Sequence, residues 1–308
     1  MSSATWHDTG TDKTFHFDEH GMFVSEDGLG PQKGFKDDDE FSSWVHSYVI
    51  EEMKKLGLVE KCHPENGAPI YHTQNAFNSP EKLLILIQGT GRVRAGVWSV
   101  GVCAYAGLNA GSVLPDIVEA KKRNMEVIVL NPNDPRYSMF IERYKANIGM
   151  VRHTLAVFED LIIKGNPKRI FILCHSMGGE CAIACLRKFP EWMIQHCRAI
   201  AMTDACESRV DVEGLKINTW CMGHIINWIC SEEEANIKLP EGISSQHYSA
   251  GTKDHPLSTA KAWPFIWPFF DKQGANTEVD ELVNIDEYRG TEDQDESLSK
   301  EDSNCRPA

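Results

Sequence analysis

In a chain of 308 residues, His175-Ser176-Met177-Gly178-Gly179 is the stretch whose residue types and spacing could most directly do chemistry. It follows the apolar run Phe171-Ile172-Leu173-Cys174 and precedes a segment of helical character, Glu180–Phe189. In a strand, tight turn and helix, a serine at the turn sits in a strained backbone with its hydroxyl above the sheet. The amide that follows it is then free to stabilise an oxyanion. The implied chemistry is acyl transfer. The motif departs from G-x-S-x-G in having Cys174 where the first glycine would stand. A lone S-x-G would read as a capping serine on an ordinary turn, but the coincidence of strand, serine, paired glycines and helix favours a nucleophile elbow.

A serine needs a base, and the base needs an acid to orient it, in the hydrolase chain order Ser, Asp or Glu, then His. Asp204 ends the run Ala199-Ile200-Ala201-Met202-Thr203, at the carboxyl edge where the sites of open α/β sheets form. Capping the next segment is its other possible role, and Asp254 is a rival acid whose adjacency to the base makes its geometry awkward. His255 follows the last strand candidate in Ser249-Ala250-Gly251-Thr252-Lys253-Asp254-His255 and precedes the final helix, where a hydrolase base belongs. His153 falls in a helix, His247 in a strand, and His224 lacks the strand-end placement.

Gln88-Gly89-Thr90-Gly91 ends another strand, and its flexible backbone predicts amide donors at Thr90 and Gly91, with Met177 completing the oxyanion hole. Two nucleotide readings fail in detail. Gly89-Thr90-Gly91 lacks the third glycine of a dinucleotide site, and Val97-Trp98 stands where a P-loop needs Lys-Ser/Thr. No His/Cys spacing of the H-E-x-x-H kind supports a metal site. Neither cofactor nor metal is expected.

The elements that must position these residues alternate as short apolar runs and helix-period segments from about Lys82 to Lys272. This is the pattern of parallel strands joined by crossover helices. Strands are predicted at Leu83–Ile87, Glu126–Leu130, Ile170–Cys174, Ala199–Thr203 and Ser245–Ala250. Ile141, Tyr144, Ile148, Val151, Leu155, Phe158 and Ile162 predict one helix with all seven side chains on a single face, ending at Gly165-Asn166-Pro167. Upstream come a hairpin over Phe15–Val24, a helix from Glu40 to Leu56 and a strand at 69–73. Arg92–Ser112 is long and Gly-rich enough to cover the site. Trp263–Phe270 reads as part of a terminal helix packed on the sheet, with a proline-induced kink. The expected fold is α/β, α/β-hydrolase-like, with a mostly parallel sheet and helices on both faces.

Composition bounds the rest. Apolar residues make up 42% and charged residues 25%, as in ordinary globular chains. Residues 276–308 carry eleven Asp or Glu against three Lys or Arg, a net of −8 within a total of −14. Such a stretch buries too little apolar surface to offset its ordering entropy, so a single domain over 1–275 with a disordered acidic tail is expected. No basic, aromatic-interleaved run favours direct nucleic-acid binding. The ten cysteines are scattered and form no CxxC pair, which points to a reducing compartment. With neither a signal-like N-terminus nor an apolar span, the expectation is an intracellular protein, nuclear or cytoplasmic, neither secreted nor in a membrane.

Taken together, these motifs resemble the Argonaute-binding-protein-two (Arb-two) domain family over about residues 14–272. The resemblance is carried by Lys82–Gly91 with Val93-Arg94-Ala95-Gly96 and Trp98, by Val127-Ile128-Val129-Leu130-Asn131-Pro132-Asn133, by His175-Ser176 with Gly178-Gly179, by Thr203-Asp204, and by Ser249-Ala250-Gly251-Thr252 with His255. It implies Ser176 as nucleophile, Asp204 rather than Asp254 as acid and His255 as base. The chain departs from the family at Gln88, Cys174 and Met177. The resemblance also implies a second class of function, an adaptor for Argonaute- or chromatin-associated proteins in small-RNA silencing, chromatin or splicing, beside a hydrolase for a small acyl-type substrate.

Overall fold

Apolar runs without polar alternation can pair only in a sheet covered on both faces, and the chain is built around such a sheet. The computed structural model describes residues 4–63, 67–134, 146–275 and 285–290. A small antiparallel sheet of β1 (Thr5–Asp8), β2 (Lys13–Phe17) and β3 (Phe23–Ser25) packs Phe17 and Phe23 against Trp44 of α1 (Asp39–Lys55). Asp38 caps α1 by accepting from the amides of Glu40 and Phe41. Then come β4 (Val59–Cys62), β5 (Pro69–His72), β6 (Leu83–Ile87), α2 (Val100–Ala106), α3 (Leu108–Gly111), α4 (Leu114–Lys122) and β7 (Glu126–Val129).

The second half contains α5 (Ala146–Val157), β8 (Ile170–His175), α6 (Gly178–Lys188), α7 (Pro190–His196), β9 (Cys197–Thr203), α8 (Ile217–His224), β10 (Ile225–Ile229), β11 (Gln246–Ser249) and α9 (Ser258–Ala275). A 3-10 turn, His255–Leu257, leads into α9, which runs through Pro264 and Pro268 as one helix.

The main sheet has the order β11-β10-β9-β8-β6-β7-β5-β4. The pairs among β6 to β11 are all parallel, while β5 runs antiparallel to both β7 and β4. The fold is thus α/β-hydrolase-like, mostly parallel with helices on both faces. Pleating divides the buried side chains into two cores. Leu84, Leu86, Phe171, Leu173, Ala199 and Ala201 pack with α1, α4 and α9. Leu83, Ile85, Ile87, Ile172, Cys174, Ile200 and Met202 pack with α5, α6, α7 and α8. Because β6 lies between β7 and β8, the connections leaving β6 and β7 run to opposite sides. That makes a switch point and opens a crevice beyond the carboxyl ends of β6 and β8.

One expectation is corrected, and two further segments gain detail. The single-face stripe fails at Ile148, which is 58% exposed, whereas Met150, His153, Thr154 and Val157 are buried against α6. A π-helical turn at Phe158–Ile162 adds a residue to one turn and re-phases the stripe, so Phe158 and Ile162 return to the core. Ile141 and Tyr144 lie outside the described residues. Arg92–Ser112 holds α2 and α3, with Val97, Trp98 and Cys103 buried. Within the acidic segment, Ile285–Tyr288 forms a 3-10 turn whose Ile285 and Tyr288 pack on the core, and the Lys216 amide donates to the Tyr288 carbonyl. The rest of 276–308 lies outside the described residues.

Candidate active site

β8 is fully buried and ends at His175, and α6 begins at Gly178, so the chain must reverse within Ser176 and Met177. Ser176 accordingly takes φ 54°, a left-handed conformation that costs a non-glycine residue of order 1–3 kcal/mol. The turn is locked from below. The Ser176 amide donates to the Thr203 carbonyl at 3.2 Å, and the Ser176 carbonyl accepts from Gly179 at 3.1 Å and Cys206 at 3.0 Å. No side chain fits where α6 meets β6: a Cβ on Gly178 would lie 2.5 Å from the Ile87 carbonyl oxygen.

Asp204 leaves β9 with φ 44°. Its Oδ1 accepts from the Cys230 amide at 2.8 Å, and its Oδ2 lies 2.5 Å from His255 Nδ1. Burial alone would raise this carboxyl, but the hydrogen bonds from His255 and Cys230 outweigh it and hold the pKa down at about 2. A carboxylate only accepts, so Nδ1 of His255 carries the proton and Nε2 is left to accept one. Asp254 is exposed, and its amide donates to Thr252 Oγ1. The structure thus pairs His255 with Asp204 rather than with its chain neighbour. Among the described residues no hydrogen bond joins Ser176 Oγ to His255.

Across the crevice, Gly89 rather than Gly91 is the glycine packed on the serine: a Cβ at Gly89 would lie 2.6 Å from Ser176 Cβ and 3.2 Å from its Oγ. Thr90 and Gly91 are exposed, and Gly91 has φ 129° with open space around it. The amides of Thr90, Gly91 and Met177 donate to nothing among the described residues. The side-chain amide of Asn133 donates to the Gly89 carbonyl. Carbonyl and N–H point opposite ways across a trans peptide, so Asn133 fixes the direction of the Thr90 amide. Asn133 was not singled out as a site residue from sequence. Its place in Asn131-Pro132-Asn133, just past a strand end, is the signal that could have found it.

Gly89→Ala is therefore expected to displace the serine hydroxyl and slow its acylation by about 100-fold, since a misplacement near 1 Å costs that much. Rates of active-site phosphonylation measure this. A rate within about threefold of the unsubstituted chain would show that Gly89 does not set the position of Ser176.

A separate cleft of about 830 Å³ lies between the β2–β3 turn (Asp18–Met22), α4 and the start of α9 at Ala260 and Trp263. It contains none of Ser176, Asp204 and His255. Among the described residues, no cluster of three or more His, Cys, Asp or Glu could hold a metal ion, and nine cysteines are free thiols. No described helix is long and apolar enough to cross a membrane.

The model of the Arb2 domain matches residues 50–149 and 138–235, more than half of the chain. The chain belongs to the Arb2 domain family. The matched span holds Ser176 and Asp204 and stops short of His255. Relatives of this Arb2 domain include "Cotranscriptional regulator ARB2A homolog" of Xenopus tropicalis, 26% identical over 74% of this chain and 67% of that one. Another is the human "Cotranscriptional regulator ARB2A", 24% identical over 73% and 68%. The chain spans about two thirds of the length of these relatives. Among solved structures it resembles a histone deacetylase from Saccharomyces cerevisiae, with a TM-score of 0.53 at 10% identity over 75% of this chain and 98% of that one. It also resembles the histone deacetylase Clr3, with a TM-score of 0.57 at 10% identity over 80% and 41%. At such identities the likeness concerns the Arb2 fold alone.

Proposed function

We propose that this Arb2 domain is a serine hydrolase acting on an ester, thioester or amide. The observation that carries the reading is the coincidence of a left-handed serine at the switch point with a His255 imidazole held by Asp204. Ser176 Oγ adds to the carbonyl carbon as His255 Nε2 takes its proton, and the resulting oxyanion lies toward the amides of Met177, Thr90 and Gly91. Collapse of the adduct sends the proton from His255 to the leaving group. Water then repeats the sequence on the acyl-serine, releasing the acid. The bond between Ser176 and His255 closes on substrate binding, because catalytic hydrogen bonds are often long in unliganded sites and tighten in the complex. A fluorophosphonate should label Ser176 covalently, and Ser176→Ala should abolish the label, read by intact-protein mass spectrometry. An unlabelled native chain, or equal labelling after Ser176→Ala, would end this reading.

A second reading is favoured by the names of the relatives, which are those of cotranscriptional regulators. In it the domain works in the nucleus as an adaptor for Argonaute- or chromatin-associated proteins, with the fold as a binding platform. It predicts that Ser176→Ala leaves such partners bound while deletion of the folded domain releases them.

A further inference from the structure

Asp204 fixes one pole of the His255 ring, and a single hydrogen bond leaves that ring free to swing about its axis. The His255 side chain is 41% exposed, so little solvent-side packing restrains it. The face of the ring is met from below: the His175 imidazole lies 4.6 Å away between centroids, with 34° between planes.

His175 is itself fixed. It is 5% exposed, and its Nδ1–H donates to the Thr203 carbonyl at 2.9 Å. The Thr203 carbonyl is the same one that accepts the Ser176 amide. The Thr203 hydroxyl lies 2.6 Å from that of Thr259, the second residue of the helix that follows His255. Nucleophile turn, imidazole floor and base are thus referred to one dipeptide, Thr203-Asp204.

We propose that His175 is the positioning residue for His255: its neutral ring is the surface on which the His255 imidazole lies, holding the ring in the plane where Nδ1 keeps its bond to Asp204 and, through that bond, a single tautomer. The catalytic meaning of this contact rests on the hydrolase reading; the contact itself does not. Burial, with the neighbouring His255 charge adding to it, brings the His175 pKa down to about 4 against the bond to Thr203. The floor therefore stays uncharged when an imidazolium forms above it, and no like-charge repulsion opposes that proton transfer. A ring face, rather than a titrating group, is what the geometry uses.

Nitrogen-15 shifts of a histidine-labelled chain report the His255 tautomer directly, and phosphonylation by a fluorophosphonate reports Ser176 reactivity. His175→Phe keeps a ring face and cannot titrate, whereas His175→Ala removes the face. The expected result is one Nδ1–H tautomer for His255 in the native chain and in His175→Phe, and averaged nitrogen shifts in His175→Ala. Phosphonylation is expected within about threefold of native for Phe and at least about tenfold slower for Ala, the scale set by general-base misalignment. A fixed tautomer with native reactivity in folded His175→Ala would overturn the proposal, as would averaged shifts in folded His175→Phe. If His175→Ala does not fold, His175→Gln, which lacks the ring, takes its place with the same expectations. If the native chain is never phosphonylated, the hydrolase reading fails while the tautomer measurement still decides the role of His175.

Discussion

Asp204→Asn should slow phosphonylation of Ser176 by about three to four orders of magnitude in a chain that still folds, at a cost of about 2 kcal/mol of stability from the lost carboxylate. The substitution is conservative where the backbone is concerned. Asn tolerates the left-handed backbone that Asp204 adopts at φ 44°, and its carbonyl can still accept the Cys230 amide. What changes is the partner offered to His255. An NH2 group facing Nδ1 stabilises the tautomer in which Nε2 carries the proton, so the base has no lone pair for the serine. In a Ser-His-Asp site this error costs about 10⁴. Stopped-flow labelling with a fluorophosphonate, alongside thermal melts, separates the two effects. A folded variant labelled within about tenfold of the native rate would show that the Asp204–His255 pair stands apart from the reacting machinery. The same pair predicts an acid limit. A carboxyl depressed to about 2 contributes stability that is fully present above its unfolded pKa near 3.8 and is lost as pH falls from there toward 2.

Asp116 should show the opposite slope. It is buried at 1% exposure, and its two oxygens accept from the indole N–H groups of Trp98 at 3.1 Å and Trp263 at 3.0 Å. Burial raises its carboxyl to about 7 despite those two bonds. Between pH 4 and 7 the folded chain therefore holds a proton that the unfolded chain has released, so stability falls as pH rises through that window. A shift of about three units corresponds to about 4 kcal/mol across the window. Asp116→Asn removes the titration while keeping a neutral side chain of similar shape. Urea denaturation at pH 4.5 and pH 8 should show the variant gaining about 2–4 kcal/mol relative to the native chain at the higher pH. A difference that does not change with pH would mean that Asp116 stays ionised in the folded state.

The sequence made the central strands legible because Leu83–Ile87, Ile170–Cys174 and Ala199–Thr203 are unbroken apolar runs that nothing but a doubly covered sheet can use. The pairing of His255 with Asp204 was legible for a different reason: both stand just past strand ends, and parallel strands bring such ends to one edge. Strand β10, Ile225–Ile229, was missed because it is short and follows α8 at His224 with no intervening loop. Asn227 interrupts its apolar run, yet that side chain binds both the amide and the carbonyl of Ala205. The re-phasing at Phe158–Ile162 was missed because a single π turn leaves the three-four spacing intact on either side. Asn133 reaches the site through the Gly89 carbonyl, with only its strand-end position to mark it, and the ring contact of His175 with His255 joins residues far apart in the chain that no local pattern links.

The position of β6 between β7 and β8 also has a kinetic side. Between Gly89 and Ser176 the chain runs through β7 and α5, and between Asp204 and His255 it runs through β10 and β11. Contacts of such sequence separation form slowly, because loop closure must precede them. A reagent that reads Ser176 in its folded setting is therefore expected to count molecules in which strands distant along the chain have already paired.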